Sequence, residues 1–128
     1  MNNPKYIIRK GESLSMEIPV ISDETGLPID VSVPAVTNIL VTLSNKGTIF
    51  AKYSLITLAG WGKLTTSTSI ISLLVTREET QTWEQGFGIA TITVESDDLV
   101  LGHSVYDFEY TNFVQIYPSS NSTYILTH

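Results

Sequence analysis

From Ser13 to Val20 the chain alternates, with Leu14, Met16, Ile18 and Val20 on one face and polar residues or Pro19 on the other. A period of two is that of a half-buried strand. Proline cannot donate to a ladder, so Pro19 puts this strand at a sheet edge or a bulge. Ser22-Asp23-Glu24-Thr25-Gly26 follows as a turn cluster in which Gly26 is free to take positive φ. Leu27-Pro28-Ile29-Asp30-Val31 then resumes in extended form, and Pro28 marks a second edge segment that runs to about Pro34.

Alternation returns from Thr37 to Ser44, where Ile39, Val41 and Leu43 oppose Leu40 and Thr42. Asn45-Lys46-Gly47 is a compact turn and Thr48 to Tyr53 comes back as the partner strand, which predicts a hairpin. The pattern weakens from Ser54 to Ser69, which reads as a long loop or irregular strand. Ser69 to Val75 is an almost continuous apolar run, as a strand at the centre of a sandwich would be.

Thr76 to Trp83 offers the one helical turn, with Thr76 as N-cap, Glu79 completing a capping box and Gly86 closing it. Gly88 to Val94 alternates again. From Val105 to Tyr117, Tyr106, Phe108 and Tyr110 form a core face, and Asp107, Glu109 and Phe113 fall on the opposite, solvent face. After Pro118 the chain is rich in Ser and Asn and ends on Tyr124-Ile125-Leu126, a candidate last strand. Short strands separated by turns, with no repeat and no amphipathic helix, predict an all-β antiparallel sandwich with one short helical turn; a small barrel is the second choice.

Length and composition narrow this picture. At 128 residues the chain is read as one domain, residues 1–128, with polar ends at about 1–5 and 118–128. Charged residues make up 16% against a usual share of about 25%, so the surface leans on Thr, Ser, Asn and Gln and suits packing against neighbours. A net charge of -6 with scattered basic residues excludes nucleic acid as an expected partner. There is no apolar stretch long enough for a membrane span, and no membrane partner is expected. Without cysteine there is no disulfide and no thiolate chemistry.

Candidate chemistry is thin. The two histidines are His103 and His128; Ser104, next to His103, points to the opposite face of a strand, which argues against a Ser-His-Asp triad. Two histidines and no cysteine do not make a zinc site. Asp23-Glu24 and Asp97-Asp98 lack the spacing of a calcium loop and read as solvated turn acids. Glu78-Glu79 diverge on one helical turn and do not flank a sugar ring. Asn121-Ser122-Thr123 fits the glycosylation sequon, with no signal peptide to bring it into use. We therefore expect no catalytic residues, no metal and no cofactor. The candidate interface residues are Trp61, set between Gly60 and Gly62, with Lys63 beside it, and the edge prolines Pro19 and Pro28.

Several of these turn signals also occur in a familiar order. Gly11-Glu12-Ser13 before an alternating strand, then Gly26-Leu27-Pro28-Ile29-Asp30-Val31, then Leu74-Val75-Thr76-Arg77-Glu78-Glu79-Thr80, resembles the immunoglobulin-like domain at the N-terminus of bacteriophage baseplate upper proteins. Related domains occur in other phage tail, fibre and head-associated structural proteins. In the last third, either Trp83 to Gly88 or the later Leu101-Gly102-His103 with Tyr106-Asp107 fills the family's next motif. The resemblance implies an immunoglobulin-like sandwich and a virion structural protein, made in the bacterial cytoplasm. Its implied partners are other virion proteins or copies of itself. A carbohydrate- or receptor-binding module acting through Trp61 is the alternative.

Overall fold

The computed structural model describes residues 4–22, 25–98 and 102–118. Its elements, in chain order, are β1 (Tyr6–Arg9), β2 (Leu14–Pro19), β3 (Val36–Asn45), β4 (Thr48–Ser54), β5 (Gly62–Ser67), β6 (Ile70–Val75), α1 (Arg77–Gln81), β7 (Gly86–Asp98) and β8 (Gly102–Tyr117). The strands follow one another in the order β1-β8-β7-β3-β4-β5-β6-β2. β1, β8, β7, β3 and β4 make a five-stranded layer and β5, β6 and β2 a three-stranded one. The two are joined where β4 meets β5 over Tyr53↔Gly62 and Ser54↔Lys63. The chain is thus an all-β sandwich with one short helical turn, rolled far enough that it approaches a barrel.

Each strand faces the core with the residues its alternation selects. Ile39, Val41 and Leu43 of β3, Ile71, Leu73 and Val75 of β6, and Met16 and Ile18 of β2 are completely buried in one hydrophobic cluster. The β3–β4 hairpin turns on Lys46 and Gly47, both at positive φ, 52° and 82°; two such residues match the twist of the flanking strands. β3 and β4 lose register between Leu43 and Ser44, with Phe50 as the extra residue. The helical turn begins at Thr76, whose hydroxyl accepts from the Glu79 amide while the Glu79 carboxylate accepts from the Thr76 amide. That is the capping box the sequence predicts.

Several expectations need correction. The stretch from Ser54 to Ser69 is only half loop, because Gly62–Ser67 forms β5 and buries Leu64. Its Thr/Ser-rich sequence hides the strand, since Leu64 is the one apolar side chain on its inward face. The run at β6 is not buried on both faces: Leu74 points outward and is 68% exposed. Gly86 does not close the helix, which ends at Thr82; Gly86 opens β7. Tyr6–Arg9, just past the polar end and assigned no element from the sequence, is a strand lying parallel to the end of β8, and β4 and β5 are also parallel, so the sandwich is not wholly antiparallel. Past the turn where Gly26 takes its positive φ, the Leu27–Val31 segment makes a single bridge, Ile21↔Pro28, rather than a strand.

In the last strand Phe113 is buried, not solvent-facing. β7 and β8 shift register between Gly88 and Ala90, where Ile89 spans the stretch that Thr111, Asn112 and Phe113 cover. Phe108 and Tyr110 face inward as expected but are only partly buried. The Asp23-Glu24 pair, the side chains of Asp98, His103, Ser104 and Tyr106, the sequon at Asn121, the candidate strand at Tyr124–Leu126 and His128 lie outside the described residues.

Candidate interaction edges

Strand edges, with their unpaired N–H and C=O groups, are where a sandwich can be extended by another chain. Among the described residues five strand margins need accounting for. β1 and β2 end the strand order, and they are drawn together by side chains. The Tyr6 hydroxyl donates to the Glu17 carbonyl at 2.9 Å and accepts from the Glu17 amide at 2.6 Å. The Tyr110 hydroxyl donates to the Pro19 carbonyl at 2.9 Å, and burial raises its pKa. The rings behind these hydroxyls pack in sequence, Tyr6 on Phe113 at 5.3 Å and Phe113 on Tyr110 at 6.0 Å. Pro19, with no N–H to offer, completes the blocking of β2.

The other three margins are open along part of their length; on β5, Leu64 to Ser67 has β6 on one side and no described strand on the other. β4 contacts β5 only through Tyr53 and Ser54, so among the described residues Thr48 to Lys52 has β3 on one side and no strand on the other. Beside it runs a groove of about 240 Å³ floored by Phe50 and Trp83, whose rings meet edge to face at 5.0 Å. β8 contacts β1 only from Val114 to Tyr117. From Gly102 to Tyr110 it therefore has β7 on one side and no described strand on the other. There a depression of about 320 Å³ is lined by Ile21, Phe108 and Tyr110, with Asp107 and Glu109 at its rim.

The four residues singled out in the sequence divide between these places. Trp61 and Lys63 sit together at the β4–β5 junction. The Lys52 ammonium stands 5.1 Å from the centre of the Trp61 ring, and the Lys63 ammonium donates to the Leu55 carbonyl. Gly62 between them allows Tyr53 in, because a Cβ there would lie 2.8 Å from its ring. The Tyr53 hydroxyl donates to Glu79 at 3.2 Å. Burial, with the Glu79 charge second, pushes the Tyr53 phenol well above its ordinary range. Pro19 and Pro28 lie elsewhere, on β2 and on the bridge to Ile21, where the Ile29 amide donates to the Val20 carbonyl at 2.9 Å.

Sequence reasoning missed the β4 and β8 half-edges, although one signal pointed to them. All seven Lys and Arg lie at or before Arg77, while the chain from Glu78 onward carries eight of the thirteen acidic residues. On the sandwich this split becomes geometric. Lys46 and Lys52 are exposed on the β3–β4 turn and β4, whereas Asp97, Asp107 and Glu109 are exposed on β7 and β8. Thr93 lies opposite Asp107 and Thr91 opposite Glu109, so no two acids face each other directly; the Thr93 hydroxyl donates to Asp107 at 2.7 Å.

Among the described residues no three His, Cys, Asp or Glu side chains are grouped to hold a metal ion, and no helix is long and apolar enough to cross a membrane. Comparison of the chain with protein-family models, with curated proteins and with solved structures returned no match.

Proposed function

We propose that this chain is a structural protein of a bacteriophage virion, a baseplate, tail, fibre-attachment or head-decoration component that acts by protein–protein assembly and not by catalysis. The observation that carries the assembly reading is the pair of open half-edges. While tyrosine hydroxyls and Pro19 block much of β2, β4 and β8 keep unpaired backbone beside exposed apolar side chains, Ile49 at 53% and Val105 at 50%. Such edges bind extended backbone by adding a strand. The low charge content and the Thr- and Ser-rich surface favour the same use, and the order of turn signals shared with phage structural domains supplies the particle.

The partners are then other virion proteins or further copies of the chain, and the protein is made in the bacterial cytoplasm before it enters the particle. A glycan- or receptor-binding module acting through Trp61 has less support, since a lysine already occupies that ring. Mass spectrometry of particles purified on a density gradient tests the proposal. The chain is expected at fixed stoichiometry to the major structural proteins. Its absence from washed particles, with binding of the free chain to a glycan array that Trp61→Ala abolishes, would establish the alternative.

A further inference from the structure

Resting on the assembly reading, we infer that the strand that covers each of the β4 and β8 half-edges comes from another copy of this chain. Thr48–Lys52 of one molecule lies against Gly102–Tyr110 of the next, head to tail. Three observations converge on this pairing. The first is topological. Within the five-stranded layer β4 is one margin and β8, uncovered from Gly102 to Tyr110 where β1 does not reach, is the other, and the β4–β3, β3–β7 and β7–β8 contacts are all antiparallel. β4 and β8 therefore run in opposite directions, and a neighbour placed beside the layer without being turned over presents β8 antiparallel to β4. No rearrangement of either molecule is needed to form that ladder.

The second is charge. The β4 margin exposes Lys46 and Lys52 and the β8 margin exposes Asp107 and Glu109. Glu79, also beside the β4 groove, is held by the Thr76 amide at 2.7 Å and by Tyr53. Pairing β4 with β4 about a twofold axis would bring lysines together, and pairing β8 with β8 would gather four carboxylates. Like charges across strands oppose pairing and unlike charges favour it, so the head-to-tail joint is selected over both symmetric ones. The third is apolar fit, because each margin has an exposed aliphatic side chain, Ile49 or Val105, and a depression beside it.

The joint also fixes the form of the assembly. Through the ladders, Lys52 is level with Thr42, Thr91 and Glu109, so the open part of β4 and the open part of β8 lie toward opposite ends of the layer. Each added copy must be displaced along the strand direction. A heterologous joint with a displacement grows as an open or helical row, not as a closed pair. The short five-residue stretch on β4, interrupted by the bulge at Phe50, keeps a single joint weak, which suits a subunit that associates only when concentrated at a growing particle.

Sedimentation velocity of the purified chain at rising concentration tests this with Lys52→Glu, Glu109→Lys, their equimolar mixture and the double variant, each checked for an unaltered melting temperature. The unaltered chain is expected to form a concentration-dependent series extending beyond dimers, which shrinks as ionic strength rises. Each single reversal weakens association roughly tenfold. The mixture and the double variant restore part of the growth, because positions 52 and 109 of every joint again carry opposite charges and remain within diagonal reach after the displacement. Should a reversal fail to fold, the double variant and the salt dependence of the unaltered chain decide the matter. Growth that stops at dimers, or that Glu109→Lys leaves untouched, overturns the inference. A chain monomeric at all concentrations but recovered in particles overturns self-pairing and leaves the particle role standing; a chain that grows into rows but is absent from particles does the reverse.

Discussion

Phe113 and Phe108 sit five residues apart on one strand, yet their surroundings differ. Phe113 is completely buried among Tyr6 and Tyr110, whereas Phe108 is only partly buried. Phe113→Ala is expected to cost about 3–5 kcal/mol and Phe108→Ala about half that, read from urea unfolding. Equal losses would mean that the register shift opposite Ile89 is misplaced. Tyr53 provides a second residue-scale expectation. Its folded-state pKa is raised by burial and by Glu79, so the unfolded chain releases the phenolic proton first. That stability is fully present below the unfolded pKa of about 10 and is lost as pH rises beyond it. The melting temperature is expected to fall above about pH 10, less steeply in Tyr53→Phe than in the unaltered chain. Alternation in the sequence showed which face of β3 and β7 is core, because there every second residue is apolar. It did not show Phe113, because a two-residue excess on β8 depends on what its partner strand supplies and leaves no mark in β8 alone.

At the scale of elements, α1 illustrates how a five-residue turn can matter to two strands. Thr80, completely buried, donates from its hydroxyl to the Glu12 carbonyl at 2.8 Å and accepts from the Gly11 amide at 2.9 Å. The helix thereby pins the β1–β2 turn. Thr80→Val keeps the volume but leaves both backbone groups unpaired, and is expected to cost about 1–3 kcal/mol in thermal unfolding; Thr76→Ala, which removes only the cap, is expected to cost about 1 kcal/mol. A Thr80→Val loss no larger than that of Thr76→Ala would show that water replaces the missing hydroxyl. The capping box was readable because it is local: Thr, two residues, then Glu. β1 and β5 were not. β1 pairs with a segment more than a hundred positions away, and β5 buries a single residue, so neither has enough pattern of its own. The half-edges are unreadable for the same reason, since an open edge is defined by the partner a strand lacks.

For the molecule as a whole, the decisive contact is the one between its first and last described strands. β1 lies beside β8 from Tyr6↔Val114 to Arg9↔Tyr117. From there Ile8 reaches the core and the Tyr6 hydroxyl holds the Glu17 backbone of β2. One short strand thus closes the five-stranded layer and ties it to the three-stranded one. Removing residues 1–3 touches none of this and is expected to leave the melting temperature unchanged. Removing residues 1–9 takes Ile8 from the core, opens the rest of the β8 margin and leaves the Glu17 backbone without its tyrosine partner. Burying one aliphatic side chain is worth about 1.5–3 kcal/mol and each net hydrogen bond about 0.5–1.5 kcal/mol, so the loss is expected to be a large part of a total of about 5–15 kcal/mol. Calorimetry of the two truncated chains checks this. A β8 margin freed along its whole length is also a stronger template for pairing, so the shorter chain should aggregate where the longer one stays dispersed. If both truncations melt alike and remain equally soluble, β1 is not what closes the sandwich, and its margin must be counted among the open ones.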